Sequence, residues 1–378
     1  MARLLRLSRV GRRRLLQALA LAALPPSVQV KAQAQGLQFP RDFGAHPAQR
    51  LEWWYLTGVL REAAQESPRF GYQLTFFRVR GPAPAEHPSR FAAKHLLLAH
   101  AALSDLKAGQ LRHDQRLARA GMGVAEASET DCDVHLRDWF LRREGPGYRA
   151  GCNSHGSNNL AGFALDLHLK TTQAPLLQGR QGLSRKGPQP AQFSHYYSQV
   201  QLHTAGSLRL GAARFELSGR SWLDHEWSDD LLGASGAADS AVGWDWAGIN
   251  LADGGALTVF RLRRADGTQL WAGGSWRRAD GATQDFAPEQ VQMSPLRVWC
   301  SPASGGNYPV EWRVSTPQGE VRLRALLDAQ EIDARASTGM RYWEGASELL
   351  TSGGQRLGLG YLELTGYVGG MQMLQSAK

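Results

Sequence analysis

The chain is expected to be all-β, folded as two consecutive antiparallel β-barrels. Helical periodicity is nearly absent beyond the first 35 residues. In its place, short apolar and aromatic runs recur, cut by Gly, Pro or Asp-Gly every 8 to 14 residues, the pattern of antiparallel meanders. About 344 residues follow residue 34, enough for two sizeable cores. Closing each meander into a barrel, rather than leaving a sandwich, removes reactive sheet edges.

The elements follow in order. Residues 51–60, 70–79, 94–105, 134–142 and 163–170 read as strands, and a Gly/Pro/Gln-rich stretch, 173–192, reads as irregular. Strand signals return at 196–202, 207–210 and 214–222. The barrels are expected to meet near 225–240, giving domains at 36–228 and 229–378. In the second, strands 248–251, 256–264 and 268–277 are punctuated by Asp253-Gly254, Asp266-Gly267 and Asp280-Gly281. Asp-Gly suits tight hairpins because their central positions require positive φ. Strands 311–316 and 320–327 flank the turn Pro317-Gln318-Gly319, and 358–367 is the last. No long internal repeat is visible.

The N-terminus reads as targeting. Arg3, Arg6, Arg9 and Arg12-Arg13-Arg14 form a positive segment with no acid, followed by an apolar stretch, 15–24, about half a membrane span in length. Ala32-Gln33-Ala34 supplies a small-x-small cleavage pattern. Residues 1–34 are therefore an expected export signal. Gly11-Arg12-Arg13-Arg14-Leu15-Leu16 resembles a twin-arginine motif, with the general secretory route as the alternative, and the mature protein is expected in the periplasm. No later stretch approaches 18 uninterrupted apolar residues, so no membrane anchor is expected.

Removing that segment changes the charge. The whole chain carries 43 basic and 34 acidic residues, but residues 1–34 hold seven of the basic ones and none of the acidic. The remainder has 36 against 34, so composition offers no basic stripe for a nucleic acid. Of Cys132, Cys152 and Cys300, the first two are free to form a disulfide in an oxidising compartment, with buried thiols as the alternative. Their spacing fits no metal or redox pattern.

Chemistry-bearing residues concentrate in two places. In Glu52-Trp53-Trp54-Tyr55, strand alternation separates Glu52 and Trp54 from Trp53 and Tyr55. In Ser221-Trp222-Leu223-Asp224-His225-Glu226-Trp227, it separates Trp222, Asp224 and Glu226 from His225 and Trp227; Gly243-Trp244-Asp245-Trp246 follows. Acids among indoles point to a site. An apolar wall raises a carboxyl pKa, leaving a proton to donate, and an indole face stabilises a passing cation. Together these suit addition of water to an isolated double bond. The competing reading is structural, with Asp and His satisfying buried indole N–H groups. Three consecutive ligands on a regular strand cannot converge on one ion, so no metal is expected, and neither a G-x-S-x-G elbow nor HExxH is present.

These motifs, with Tyr196-Tyr197-Ser198, Tyr342-Trp343-Glu344-Gly345 and Gly360-Tyr361-Leu362-Glu363-Leu364-Thr365-Gly366-Tyr367, resemble the AttH/CrtC-like group over about residues 40–367. That group includes carotenoid 1,2-hydratases and exported relatives, and this chain looks closer to the exported AttH-like branch. The resemblance implies two lipocalin-like barrels and an apolar lipid or isoprenoid ligand. It also implies cofactor-free hydration of a C=C bond, or else non-catalytic lipid carriage beside an ABC-transporter permease. By position, Asp245 is the expected proton donor and His225 the group that handles water, with Asp224 and Glu226 beside them. Trp227 and Trp244 are the expected cation stabilisers, and Glu52, Trp53, Trp54, Tyr55, Tyr196 and Tyr197 the remaining ligand-binding residues.

Overall fold

The hairpin turns show most directly why this chain folds into β-structure. Asp253, Asp266 and Asp280 each accept on Oδ1 a hydrogen bond from the backbone N–H two residues ahead (2.8, 2.9 and 3.0 Å). The glycine after each takes a positive φ of +95°, +82° and +90°. A carboxylate closing the turn and a residue with no Cβ cap the hairpins joining Gly243–Leu251, Ala256–Arg263, Gln269–Arg277 and Thr283–Phe286.

The structure is a computed structural model describing residues 36–156, 160–231 and 240–369; the predicted export segment, 1–34, lies outside them. Two curled antiparallel sheets form barrels, each around its own apolar core. Two 3-10 turns, Arg41–Phe43 and Pro288–Gln290, are the only helical segments among the described residues. No helix among them is long and apolar enough to cross a membrane.

At the centre of the first sheet, Leu51–Glu62 lies between Phe70–Arg80 and Ala213–Ser228, and Ala213–Ser228 pairs in turn with Phe193–Leu210. In the second, Arg356–Val368 lies between Gly243–Leu251 and Met340–Thr351. Alternation gives each of these strands two buried faces. Trp54, Leu56 and Leu60 fill the first barrel, whereas Tyr55 and Val59 face the second. Ala247, Ile249, Trp343, Leu362 and Leu364 fill the second, whereas Trp246, Tyr342 and Tyr361 face the first. The barrels therefore share a third apolar layer. Gly71 permits the approach: a Cβ there would stand 2.7 Å from Ala346 Cβ and 2.8 Å from the Tyr361 hydroxyl.

Several elements depart from expectation. The span 134–142 is two strands, Asp133–Leu136 and Trp139–Glu144, turning at Arg137 with φ +58°. Strands 196–202 and 207–210 are one long strand, Phe193–Leu210, bulged where Gln201 takes φ +55° and donates to the carbonyls of Leu251 and Gly255. Strand 214–222 continues to Ser228, so the whole acid-rich motif lies on the sheet. All three cysteines are free, Cys132 and Cys152 buried in the first core, so the disulfide alternative is not realised.

Candidate functional site

Strand register assembles the site. Tyr55 lies opposite Asp224, which lies opposite Ser198 on its other side; Tyr196 lies opposite Glu226. Across the gap, Glu344 and Trp246 both lie opposite Glu363. The side chains pointing into the shared layer line a cavity, formed by Trp53, Tyr55, Tyr196, Asp224, Glu226, Trp244, Trp246, Glu344 and Glu363, with Lys186, His100 and Tyr342.

Four carboxyl groups share this apolar enclosure, each in a different environment. Asp224 accepts from Tyr196 Oη (2.8 Å), Ser198 Oγ (2.5 Å) and Trp222 Nε1 (2.6 Å). Burial outweighs those donors, and Glu226 adds repulsion, pushing Asp224 up to about 7. Glu226 pairs with Lys186, Nζ to Oε1 at 2.9 Å, and the ammonium lies over the Phe260 ring at 4.4 Å. Glu363 accepts from Trp244 Nε1 at 2.9 Å, and burial with the charges of Asp224 and Glu226 lifts it to about 7. Glu344 differs again: neither of its oxygens, nor the Tyr55 hydroxyl, has a hydrogen-bond partner. Burial first, then the facing Glu363, hold the Glu344 carboxyl well above the usual carboxylate range, the Tyr55 hydroxyl opposing. Its surroundings thus favour the protonated form of Glu344.

A carboxyl whose native pKa is raised binds its proton more tightly folded than unfolded, so its contribution to stability falls as pH rises from the ordinary to the native value. For Glu363 that window runs from 4.5 to about 7. Glu363→Gln keeps an acceptor for Trp244 and removes the titration. The variant is expected to gain thermal stability relative to wild type at pH 8 and to lose that gain at pH 4.5, as read by melting curves.

Half of the twelve sequence-selected residues do not reach the cavity, because alternation sends them to the other strand faces. Glu52, Trp54, Tyr197, His225 and Trp227 gather at one end of the first barrel. There His225 Nε2 lies 2.9 Å and His46 Nδ1 2.8 Å from Glu52 Oε1, and Arg78 Nε donates to Glu52 Oε2 at 2.7 Å. Trp54 and Trp227 stack on His225 and His46 with centroids 4.7 and 3.6 Å apart. Asp245 points into the second barrel, where its Oδ2 meets Arg261 Nε (2.6 Å) and Arg263 Nε (3.1 Å) and its Oδ1 accepts from Tyr367 (2.8 Å). Both oxygens of Asp245 are thus engaged inside the second barrel, away from the cavity. Asp245, His225 and Trp227 therefore do not line the inter-barrel cavity, whereas Asp224, Glu226 and Trp244 do.

The AttH-like family profile matches residues 30–367. The chain belongs to the AttH-like family. This AttH-like chain is similar to an AttH protein from Nitrosomonas europaea, at 41% identity over 91% of this chain and 100% of that one, with a TM-score of 0.79. It shares its fold with kievitone hydratase from Nectria haematococca, at 13% identity over 89% and 94% of the two chains and a TM-score of 0.62. No curated protein matches the sequence.

Sequence reasoning omitted Lys186, His100, Tyr342, Trp246, Glu344 and Glu363 from the site. A usable signal was present for the acids. Trp222-x-Asp224, Tyr342-x-Glu344 and Tyr361-x-Glu363 repeat one pattern, an aromatic and an acid two apart on one strand face. Lys186 and His100 carry no such mark.

Proposed function

We propose that the AttH-like chain adds water to a C=C bond of an apolar, isoprenoid-like substrate held between its barrels, Glu344 giving the initiating proton. The observation that carries this reading is a neutral carboxyl with both oxygens unbonded in an aromatic enclosure. Such a group spends no hydrogen bond on the protein and has one to give. Protonation of one alkene carbon by Glu344 leaves a cation on its neighbour. Trp53, Trp244 and Trp246 line the cavity as indoles able to stabilise that charge, and Glu226, paired with Lys186, lies in the same enclosure. Water then forms the C–O bond and passes its surplus proton to Glu363, which is part-ionised near neutrality. The reaction needs no redox or nucleotide partner, which suits an exported protein working in the periplasm.

Incubating the purified protein with lycopene or neurosporene in micelles is expected to give a product heavier by one water, detected by mass spectrometry. Tightly co-purifying lipid with no hydrated product would overturn the reading. That outcome would favour the rival one, a lipid carrier serving a membrane transporter.

A further inference from the structure

We propose that Tyr342, His100 and Ser337 form a proton relay between the inter-barrel cavity and solvent. The purpose of the relay rests on the hydration reading above; the tautomer that tests it does not. His100 stands on His95–Asp105 of the first barrel, and both its partners belong to the second. Its Nδ1 lies 2.8 Å from Tyr342 Oη and its Nε2 2.8 Å from Ser337 Oγ. His100 and Tyr342 are buried and Tyr342 lines the cavity, whereas Ser337 is only partly buried.

The direction of the chain follows from its outer end. Gln115 Nε2 donates to the Asp333 carbonyl at 2.8 Å, so its amide oxygen faces Ser337, whose hydroxyl donates to it at 2.6 Å. Ser337 Oγ therefore accepts from His100 Nε2–H. The neutral ring keeps its lone pair on Nδ1, where it accepts from Tyr342 O–H. Gln73 Nε2, donating to Tyr342 Oη at 3.3 Å, fixes that hydroxyl. Every donor in the resting chain points outward.

A turnover leaves Glu344 ionised and a proton on Glu363, with no net proton consumed; the relay resets the pair by passing one proton out and one in. In the outward step a cavity proton joins Tyr342 Oη while the Tyr342 proton moves to His100 Nδ1. The Nε2 proton moves to Ser337, and the Ser337 proton leaves to solvent. The chain now points inward, with Ser337 donating to Nε2 and Nδ1–H to Tyr342. The inward step runs the same bonds in reverse, places a proton on Glu344 and restores the starting tautomer.

The test uses no substrate. Nitrogen NMR of histidine-labelled protein is expected to show the Nε2–H tautomer at His100; the Nδ1–H tautomer would overturn the relay. After rapid mixing into heavy water, the infrared carboxyl band that disappears in Glu344→Gln is expected to shift at least ten-fold more slowly in His100→Gln and Tyr342→Phe. Imidazole is expected to restore the rate in His100→Ala. Unchanged exchange in variants that melt like wild type would overturn the relay. Absence of the Glu344 band would sink the hydration reading, and the His100 tautomer would still decide the relay.

Discussion

Glu344→Gln is expected to cut hydration by about 10²–10⁴-fold, the usual worth of a positioned general acid. The change is nearly isosteric and removes the only feature at stake, the proton. Neither Glu344 oxygen carries a protein hydrogen bond, so no network collapses with it. Retained binding of the apolar ligand beside lost turnover is therefore the expected result, measured by product formation and by ligand fluorescence on one preparation. Asp224→Asn is a poorer probe. The Asp224 carboxylate accepts from three donors, and an amide NH2 turned toward any of them would disrupt packing along with chemistry. If Glu344→Gln hydrates at the wild-type rate, the acid lies elsewhere.

The all-β class was legible because the turns announce themselves. Asp253-Gly254, Asp266-Gly267 and Asp280-Gly281 close their own hairpins by local hydrogen bonds, and local chemistry is what a sequence displays. Strands without alternation were harder to see. Gln110–Arg119, at a sheet end, is polar and largely unburied, whereas Met340–Thr351 is buried on nearly every residue. The first has no apolar face and the second no polar one, so neither has a period of two. The break read between 202 and 207 is not there, since His203 to Gly206 pair regularly with Arg220 to Leu217, while the bulge at Gln201 lies inside an expected strand and follows from carbonyls 50 and 54 residues away.

The site was half legible for a related reason. Alternation correctly divides Trp53 and Tyr55 from Glu52 and Trp54, but sequence alone does not say which face meets the other barrel. Asp224 and His225 are adjacent in sequence and serve different interiors. The four acid and histidine candidates, Asp224, His225, Glu226 and Asp245, accordingly divide: Asp224 and Glu226 line the cavity and His225 and Asp245 do not, while Glu344 was not among them. Surroundings divide the acids: Asp245 is met by Arg261 and Arg263, whereas burial and the facing Glu363 raise the carboxyl of Glu344.

Glu52→Ala is expected to destabilise the fold by about 3–5 kcal/mol, the range for removing one partner of a buried ion pair. Arg78 is the reason. Its side chain is 3% exposed, pairs with Glu52, and also donates to the carbonyls of His46 (2.7 Å) and Gln49 (3.0 Å), tying the segment before Leu51 to the barrel. Without Glu52 that guanidinium is a buried charge with no counterion, and His46 and His225 lose their common acceptor. Three pH effects meet here. Burial resists the charge on Glu52, yet hydrogen bonds from His225 and His46 and the charge of Arg78 prevail, holding it well below the usual range. Its contribution is thus present above 4.5 and lost as pH falls toward the native value. His46 is raised by Asp42 and Glu52 against burial, so its contribution is full below 6.5 and fades as pH rises through the native value. His225 is lowered by burial, which costs stability as pH falls below 6.5. Melting temperatures of wild type and Glu52→Ala across pH 4–9 are therefore expected to differ most between pH 5 and 7. A flat difference across that range would mean that Glu52 acts by packing alone, and that the ion pair with Arg78 is not what holds the N-terminal segment in place.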